Sequence, residues 1–151
     1  WGLIAIAGID FDKMLIPDEI IYPLLWLGLL FNWQDVFVSL DLAVLGAATG
    51  YLILWGIYWG FKLLTGKEGM GYGDFKLTAC LGAWLGIKML PAIIFTSALA
   101  GAVIGGIYLL CTYKRGSRPI PFGPYIATAG FIVLLYGIEI NSWYLNLIMG
   151  Y

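Results

Sequence analysis

The sequence predicts an all-α membrane protein, a polytopic bundle of about six transmembrane helices, and three observations carry that expectation. Apolar residues make up 62% of the chain and charged ones only 11%, where soluble domains are about half apolar and about a quarter charged. Mean hydropathy is +0.91. Apolar runs that approach the roughly 20 residues a bilayer demands recur along the chain, separated by short polar turns. With no soluble domain and no low-complexity linker among them, residues 1–151 read as a single transmembrane domain.

Composition also removes whole classes of chemistry. Histidine is absent, which excludes His-based metal sites, His-containing triads and imidazole switches. The two cysteines, Cys80 and Cys111, fall inside predicted spans and form no C-x-x-C pair, so they read as small buried hydrophobes and no metal site is expected. The net charge is −1 and no basic tract is present, so nucleic acid is not an expected partner; the lipid bilayer is.

In chain order, residues 1–9 are apolar with neither an initiator Met nor a basic n-region. They read as the end of a membrane helix in a piece of a longer protein, not as a signal peptide. A polar stretch, Asp10-Phe11-Asp12-Lys13, follows. Ile16-Pro17-Asp18-Glu19 resembles a helix start, with Pro at the first position and two acids complementing the helix dipole. The second span runs from Pro17 to Trp33 and ends in the turn Asn32-Trp33-Gln34-Asp35. The third, Val36 to Leu64, carries two G-x-x-x-G pairs, Gly46 with Gly50 and Gly56 with Gly60, a spacing that permits close helix packing in a membrane. After a polar loop, Thr65 to Asp74, the fourth span covers Phe75 to Ile87. Lys88-Met89-Leu90-Pro91 turns the chain into a fifth, Ala92 to Tyr113. A sixth opens on the rigid Pro121-Phe122-Gly123-Pro124 and reaches Ile138, and Ser142 to Tyr151 is amphipathic enough to lie in the interface.

Six alternating spans place the loops near residues 10–19, 62–76 and 113–121 on one face. Those loops hold Lys13, Lys62, Lys67, Lys76, Lys114, Arg115 and Arg118, against Lys88 alone opposite. Basic residues favour the cytoplasmic side, so that face is expected to be cytoplasmic.

On it lies Gly69-Met70-Gly71-Tyr72-Gly73-Asp74-Phe75-Lys76, the one place where glycines, a carboxylate and lysines crowd between apolar segments. Glycine supplies backbone conformations closed to other residues and permits close approach of another chain, and an ionisable residue at a membrane helix marks a candidate site. The acids sharing this face are Asp10, Asp12, Asp18, Glu19, Glu68 and Asp74. Two carboxyls held close in a poorly solvated site cannot both ionise, so the pair retains a proton and offers one base and one acid. The residues alone do not choose Asp74's partner among Asp10, Asp12 and Asp18. Acids at helix starts, Asp18 and Glu19 above all, also serve as caps or dipole partners.

Gly71-Tyr72-Gly73-Asp74 resembles the G-x-G-D motif of intramembrane aspartic proteases, and residues 62–76 together resemble bacterial type IV prepilin peptidases. Ile9-Asp10 followed by Ile16-Pro17-Asp18 is similar to that family's I-D and L-P-D signature, with Ile16 where the family has Leu. Pro121-Phe122-Gly123-Pro124 is similar to its P-F-G-P segment. The resemblance implies a catalytic pair of Asp10 and Asp74, an active-site loop around Gly71 and Gly73, and substrate or support roles for Asp18, Lys76, Pro121, Phe122, Gly123 and Pro124. It implies cleavage of prepilin or pseudopilin leaders after a glycine at the cytoplasmic face of the bacterial inner membrane, with no cofactor for the peptidase step. Full-length members often also N-methylate the new terminus with S-adenosylmethionine, and the N-terminal helix and cysteine-containing region those members carry have no counterpart in these 151 residues. The competing class is a non-enzymatic membrane module, a transporter or channel fragment using its acids for protons or cations; such a module would place them near the bilayer midplane.

Overall fold

A computed structural model describes residues 1–67, 69–111 and 121–149. Among them are six α-helices: α1 (Gly2–Lys13), α2 (Asp18–Asn32), α3 (Leu40–Thr65), α4 (Tyr72–Leu85), α5 (Leu90–Cys111) and α6 (Gly123–Met149), with a 3-10 turn at Ile87–Met89 before α5. The expected all-α bundle is what the chain forms. Two stretches, Leu40–Thr65 and Ile87–Ile107, are long and apolar enough to cross a membrane. At 15 and 14 residues, α2 and α4 fall short of the roughly 20 that a bilayer needs.

The short helix α4 is the axis of the bundle. It packs on α2 and α3 along one side and on α6 along another, with α1 and α5 docked on α6. Ten of its residues are buried, from Asp74 to Leu85, so its short length spans other helices rather than lipid. The first G-x-x-x-G pair of α3 explains the closest of these contacts. A Cβ on Gly46 would collide with the backbone of Gly82 and Gly86, and one on Gly50 would sit 2.9 Å from the Thr78 carbonyl oxygen. Backbone meets backbone there, as small-residue spacing permits. The second pair behaves differently: Gly56 and Gly60 have nothing within 4 Å of where a Cβ would stand.

Several boundaries move from their sequence-based positions. Helix α1 continues through Asp10-Phe11-Asp12-Lys13, expected to be a polar stretch after the helix. It stops at Met14, which takes a left-handed conformation (φ 52°, ψ 38°) while its amide bonds Asp10 O. Asp10 therefore sits in a helical last turn. Pro17 is the N-cap of α2 rather than its first residue. Helix α3 starts at Leu40, four residues later than Val36, and ends on Gly66 at φ 69°, the left-handed closure that glycine takes without a Cβ clash. Helix α4 starts at Tyr72, drawing Asp74 into its first turn. Helix α6 is kinked at Tyr136, whose angles are non-helical (φ −121°, ψ 17°), and beyond the kink the chain is helical again to Met149, so residues 142–149 lie in a second helical segment. Glu68, Lys114, Arg115, Arg118 and Tyr151 lie outside the described residues, as does the side chain of Cys111.

One fully buried polar residue holds the far end of the bundle. Asn32 donates through Nδ2 to Ala83 O (2.8 Å) and Trp84 O (3.1 Å), and its Oδ1 accepts from the amides of Phe37 (3.1 Å) and Val38 (3.2 Å). It thus ties the end of α2, the following turn and the end of α4 together. Beside it Trp84 lies against Gly28 and donates Nε1–H to Leu24 O at 2.8 Å. Losing one partner of a buried hydrogen bond leaves the other unsatisfied and costs about 1–3 kcal/mol. Asn32→Ala is accordingly expected to lower the thermal unfolding midpoint in detergent, at a position remote from the cleft described next. An unchanged midpoint would contradict the role given to Asn32.

Candidate active site

Three helix ends converge at the other end of the bundle: the C-terminal turn of α1, the N-terminal turn of α4 and the start of α6. They enclose a cleft of about 420 Å³ lined by Asp10, Ile16, Gly71, Gly73, Asp74, Lys76, Pro121 and Phe122, with Met14, Leu15, Gly69, Met70 and Tyr72 completing the wall. Asp10 and Asp74, 64 positions apart in the chain, line it together. Both are buried, each only 5% exposed.

Asp74 is held by its own helix and by α3. Its Oδ2 accepts the Gly71 amide at 3.2 Å, and its own amide bonds Gly71 O. This is half of a capping box, since the N-cap Gly71 has no side chain to return the bond. Behind it, Tyr58, Tyr72 and Phe75 form a cluster with ring centroids 5.5–5.6 Å apart. Phe75 is fully buried and Tyr58 nearly so. That packing fixes the first turn of α4 and hence the carboxylate it carries.

Asp10 is held from α6. The backbone amide of Gly123 hydrogen-bonds its carboxylate. A Cβ on Gly123 would collide with that carboxylate, its carboxyl carbon lying 2.9 Å away. The P-F-G-P segment thus enters the site through a glycine that must be bare. Pro121 and Phe122 line the cleft, whereas Pro124 lies in the first turn of α6, its carbonyl accepting the Thr128 hydroxyl at 2.7 Å.

The remaining acids separate cleanly. Asp12, two residues beyond Asp10, is exposed, because two helical steps turn a side chain about 200° round the axis. Asp18 is not a cap: its carboxylate takes the Lys76 ammonium at 2.7 and 2.8 Å, tying α2 to α4 at the mouth of the cleft. Lys76 also lies 5.4 Å from the Tyr22 ring centroid. Glu19 is exposed.

The loop glycines correct one expectation. Neither Gly71 nor Gly73 has positive φ; among the described glycines only Gly66 and Gly86 do. Glycine serves here by close approach, at Gly73 and at Gly69, where a Cβ would lie 2.8 Å from the Phe61 ring. A Cβ on Gly73 would lie 2.8 Å from Ile16 Cβ, whereas one on Gly71 would meet nothing nearer than 3.8 Å. Met14 and Leu15 carry no signal in the sequence, and Met70 enters only as part of the glycine-rich stretch. Ile16 stands in a helix start and in the segment that resembles the L-P-D signature, but neither gives its side chain a role of its own.

Both acids lie outside the two membrane-length stretches. Burial pushes the Asp74 carboxyl up to about 7, with the nearby Asp10 charge adding to the rise and the Gly71 amide opposing it. Burial also raises Asp10, offset in part by the Gly123 amide. Near neutral pH such a pair holds one proton, leaving one carboxylate to accept a proton and one carboxyl to donate. Among the described residues no three His, Cys, Asp or Glu side chains form a metal-holding group.

A helical bundle that closes two acid-bearing helix ends over one cleft is equipped for carboxylate acid–base chemistry. The chain belongs to the type IV leader peptidase family, whose model matches residues 1–106. It is 60% identical over 147 residues to the prepilin leader peptidase/N-methyltransferase of Aeromonas hydrophila, covering 97% of this chain and 50% of that protein. To the protein of the same name from Pseudomonas aeruginosa it is 55% identical over 146 residues, 97% of this chain and 50% of that one. The corresponding protein of Xanthomonas campestris is 49% identical over 144 residues, again 50% of its length. The chain therefore spans about half the length of the curated relatives it matches. No solved structure matches it.

Proposed function

We propose that this chain is the peptidase part of a membrane aspartic endopeptidase that removes the leader of type IV prepilins or type II secretion pseudopilins. The observation that carries this reading is the meeting of Asp10 and Asp74 in one cleft, both buried, from helices far apart in sequence. One carboxylate takes a proton from water as the water attacks the scissile carbonyl. The other, protonated, hydrogen-bonds the carbonyl oxygen and then supplies a proton to the departing amine, so no acyl-enzyme forms. The two groups titrate as a pair, and the base and acid roles belong to the pair. Family membership, and the relatives' printed name, support the prepilin leader as substrate.

The cleft opens at the bundle end that carries Lys13 and Lys76, and the distribution of basic residues supports placing it at the cytoplasmic face of the inner membrane. S-adenosylmethionine, implied for full-length members, is assigned to the whole protein, and the described residues are given no part in methyl transfer. A transporter reading would want its acids at broken helices near the midplane; Asp10 and Asp74 occupy helix ends at one rim. Membranes containing the protein, incubated with a prepilin, are expected to yield pilin lacking its leader, with the new N-terminus read by mass spectrometry. Intact prepilin after incubation with correctly folded protein would contradict the proposal, and proton flux in liposomes without cleavage would point to the transporter class.

A further inference from the structure

The linker between α1 and α2 carries one buried apolar side chain. Ile16 is 7% exposed, while its neighbours Met14 and Leu15 are 48% and 61% exposed. It stands between the two acid-bearing segments. On one side, a Cβ on Gly73 would lie 2.8 Å from Ile16 Cβ and 3.1 Å from its Cγ1, and Gly73 is the residue directly before Asp74. On the other, a Cβ on Gly123 would lie 3.0 Å from Ile16 Cδ1, and Gly123 is the residue whose amide bonds Asp10. One side chain is thus seated against the backbone beside each acid, and it lines the cleft between them.

Neither approach leaves room for a Cβ on the glycine. Both are to glycine backbone, where no rotamer exists to absorb a displacement, and packed interiors transmit small shifts. The Ile16 side chain is β-branched and stiff at χ1. Its backbone is confined as well, since Pro17 restricts the residue before it to extended conformations and Met14 has already turned the chain in a left-handed step.

We propose that Ile16 is a positioning residue of the site, a rigid apolar wedge that sets the spacing of the Asp10 and Asp74 carboxyls and keeps bulk water from the gap between them. This rests on Asp10 and Asp74 being the reacting pair. The titratable groups lining the same cleft are Asp10, Tyr72, Asp74 and Lys76, the last paired with Asp18.

The test is prepilin cleavage across pH by membranes carrying Ile16→Ala, Ile16→Val, Ile16→Leu, Asp10→Asn or Asp74→Asn, each with its thermal midpoint. Misplacement of a reacting group by about 1 Å costs about 10²-fold, so Ile16→Ala is expected to lose kcat on that scale with KM changed only a few-fold. Water entering the gap weakens both the desolvation and the mutual repulsion of the carboxyls. The alkaline limb of the pH–rate profile, where the acid loses its proton, should therefore move to lower pH. Ile16→Val, which deletes the Cδ1 facing Gly123, should shift the limb less and in the same direction. Ile16→Leu, which conserves volume but gives up the β-branch, should fall between the parent and Ile16→Ala. An unmoved alkaline limb in Ile16→Ala, or in Ile16→Val should the alanine variant not fold, overturns the wedge and leaves Ile16 an ordinary core residue. If the asparagine variants cleave prepilin, the assignment of the pair fails instead.

Discussion

Asp10→Asn and Asp74→Asn are each expected to abolish prepilin cleavage while the protein remains folded in the membrane. A positioned acid or base contributes about 10²–10⁴-fold to rate, and each substitution removes one member of a unit that works only as a pair. The double variant should therefore be no worse than either single one. Asp12→Asn should be close to silent, since Asp12 is exposed on the opposite side of α1. Asp18→Asn should cost less than either member of the pair, because it weakens the tie to Lys76 without touching the reacting groups. Appreciable cleavage by Asp10→Asn or Asp74→Asn would remove the proposed mechanism.

Stability separates loss of chemistry from misfolding. The Asp74 carboxyl is raised in the folded state to about 7, against about 3.9 for a free aspartate. A raised carboxyl binds its proton more tightly when folded, so its contribution to stability is full below the unfolded value and is lost as pH rises through the folded one. Above pH 7 the native protein holds a buried charge at Asp74 that asparagine would not. Asp74→Asn is accordingly expected to be inactive yet to unfold at a higher temperature than the parent at pH 8, with the advantage shrinking toward pH 5. A lower midpoint at pH 8 would contradict the burial argument.

Gly123→Ala is expected to be nearly as damaging, though it removes no polar group. The added methyl would occupy space held by the Asp10 carboxylate and crowd Ile16 Cδ1 at 3.0 Å. The carboxylate must then swing away from the Gly123 amide and from its place opposite Asp74. A displacement of about 1 Å in a reacting group costs about 10²-fold, and kcat should fall on that scale. Gly8→Ala supplies the comparison: it adds the same methyl on α1, two residues before Asp10, with nothing within 4 Å. Equal activity of the two alanine variants in a cleavage assay would show that Gly123 does not place Asp10.

How much of the site the sequence discloses differs residue by residue. Asp74 stands out as an acid that a glycine-rich turn delivers into an apolar helix, although a helix cap looks the same in sequence and Asp74 does accept the Gly71 amide. Its partner does not, since Asp10, Asp12 and Asp18 are all expected on the same face and lie within a short stretch of chain. The resemblance selects Asp10, and the geometry gives the reason for the difference. Helix α1 continues three residues past Asp10, so Asp10 points inward and Asp12 outward, and the ion pair with Lys76 occupies Asp18. A polar stretch disguised that last turn, because charge at a helix end looks the same in sequence as charge in a loop. The helices themselves were legible from apolar run length, with most ends off by a few residues and the helical stretch after Gly123 running on to Met149, well past Ile138, and the G-x-x-x-G at Gly46 and Gly50 was legible as packing. Its twin at Gly56 and Gly60 has identical spacing and packs on none of the described residues, since a motif does not name its neighbour. The strictness of Gly73 beside the tolerance of Gly71, the wedge of Ile16 and the four hydrogen bonds of Asn32 depend on what folding brings against them.

The central claim is that Asp10 and Asp74 act on each other as one titrating pair. The most direct measurement is a pH titration of the Asp74 carboxyl, by infrared difference or carbon NMR spectroscopy of labelled protein, in the parent and in Asp10→Asn. The parent should hold Asp74 protonated to near neutral pH, and removing the Asp10 charge should lower that midpoint while burial keeps it above the value of a free aspartate. An Asp74 midpoint that is ordinary in the parent, or unmoved by Asp10→Asn, would contradict the pair.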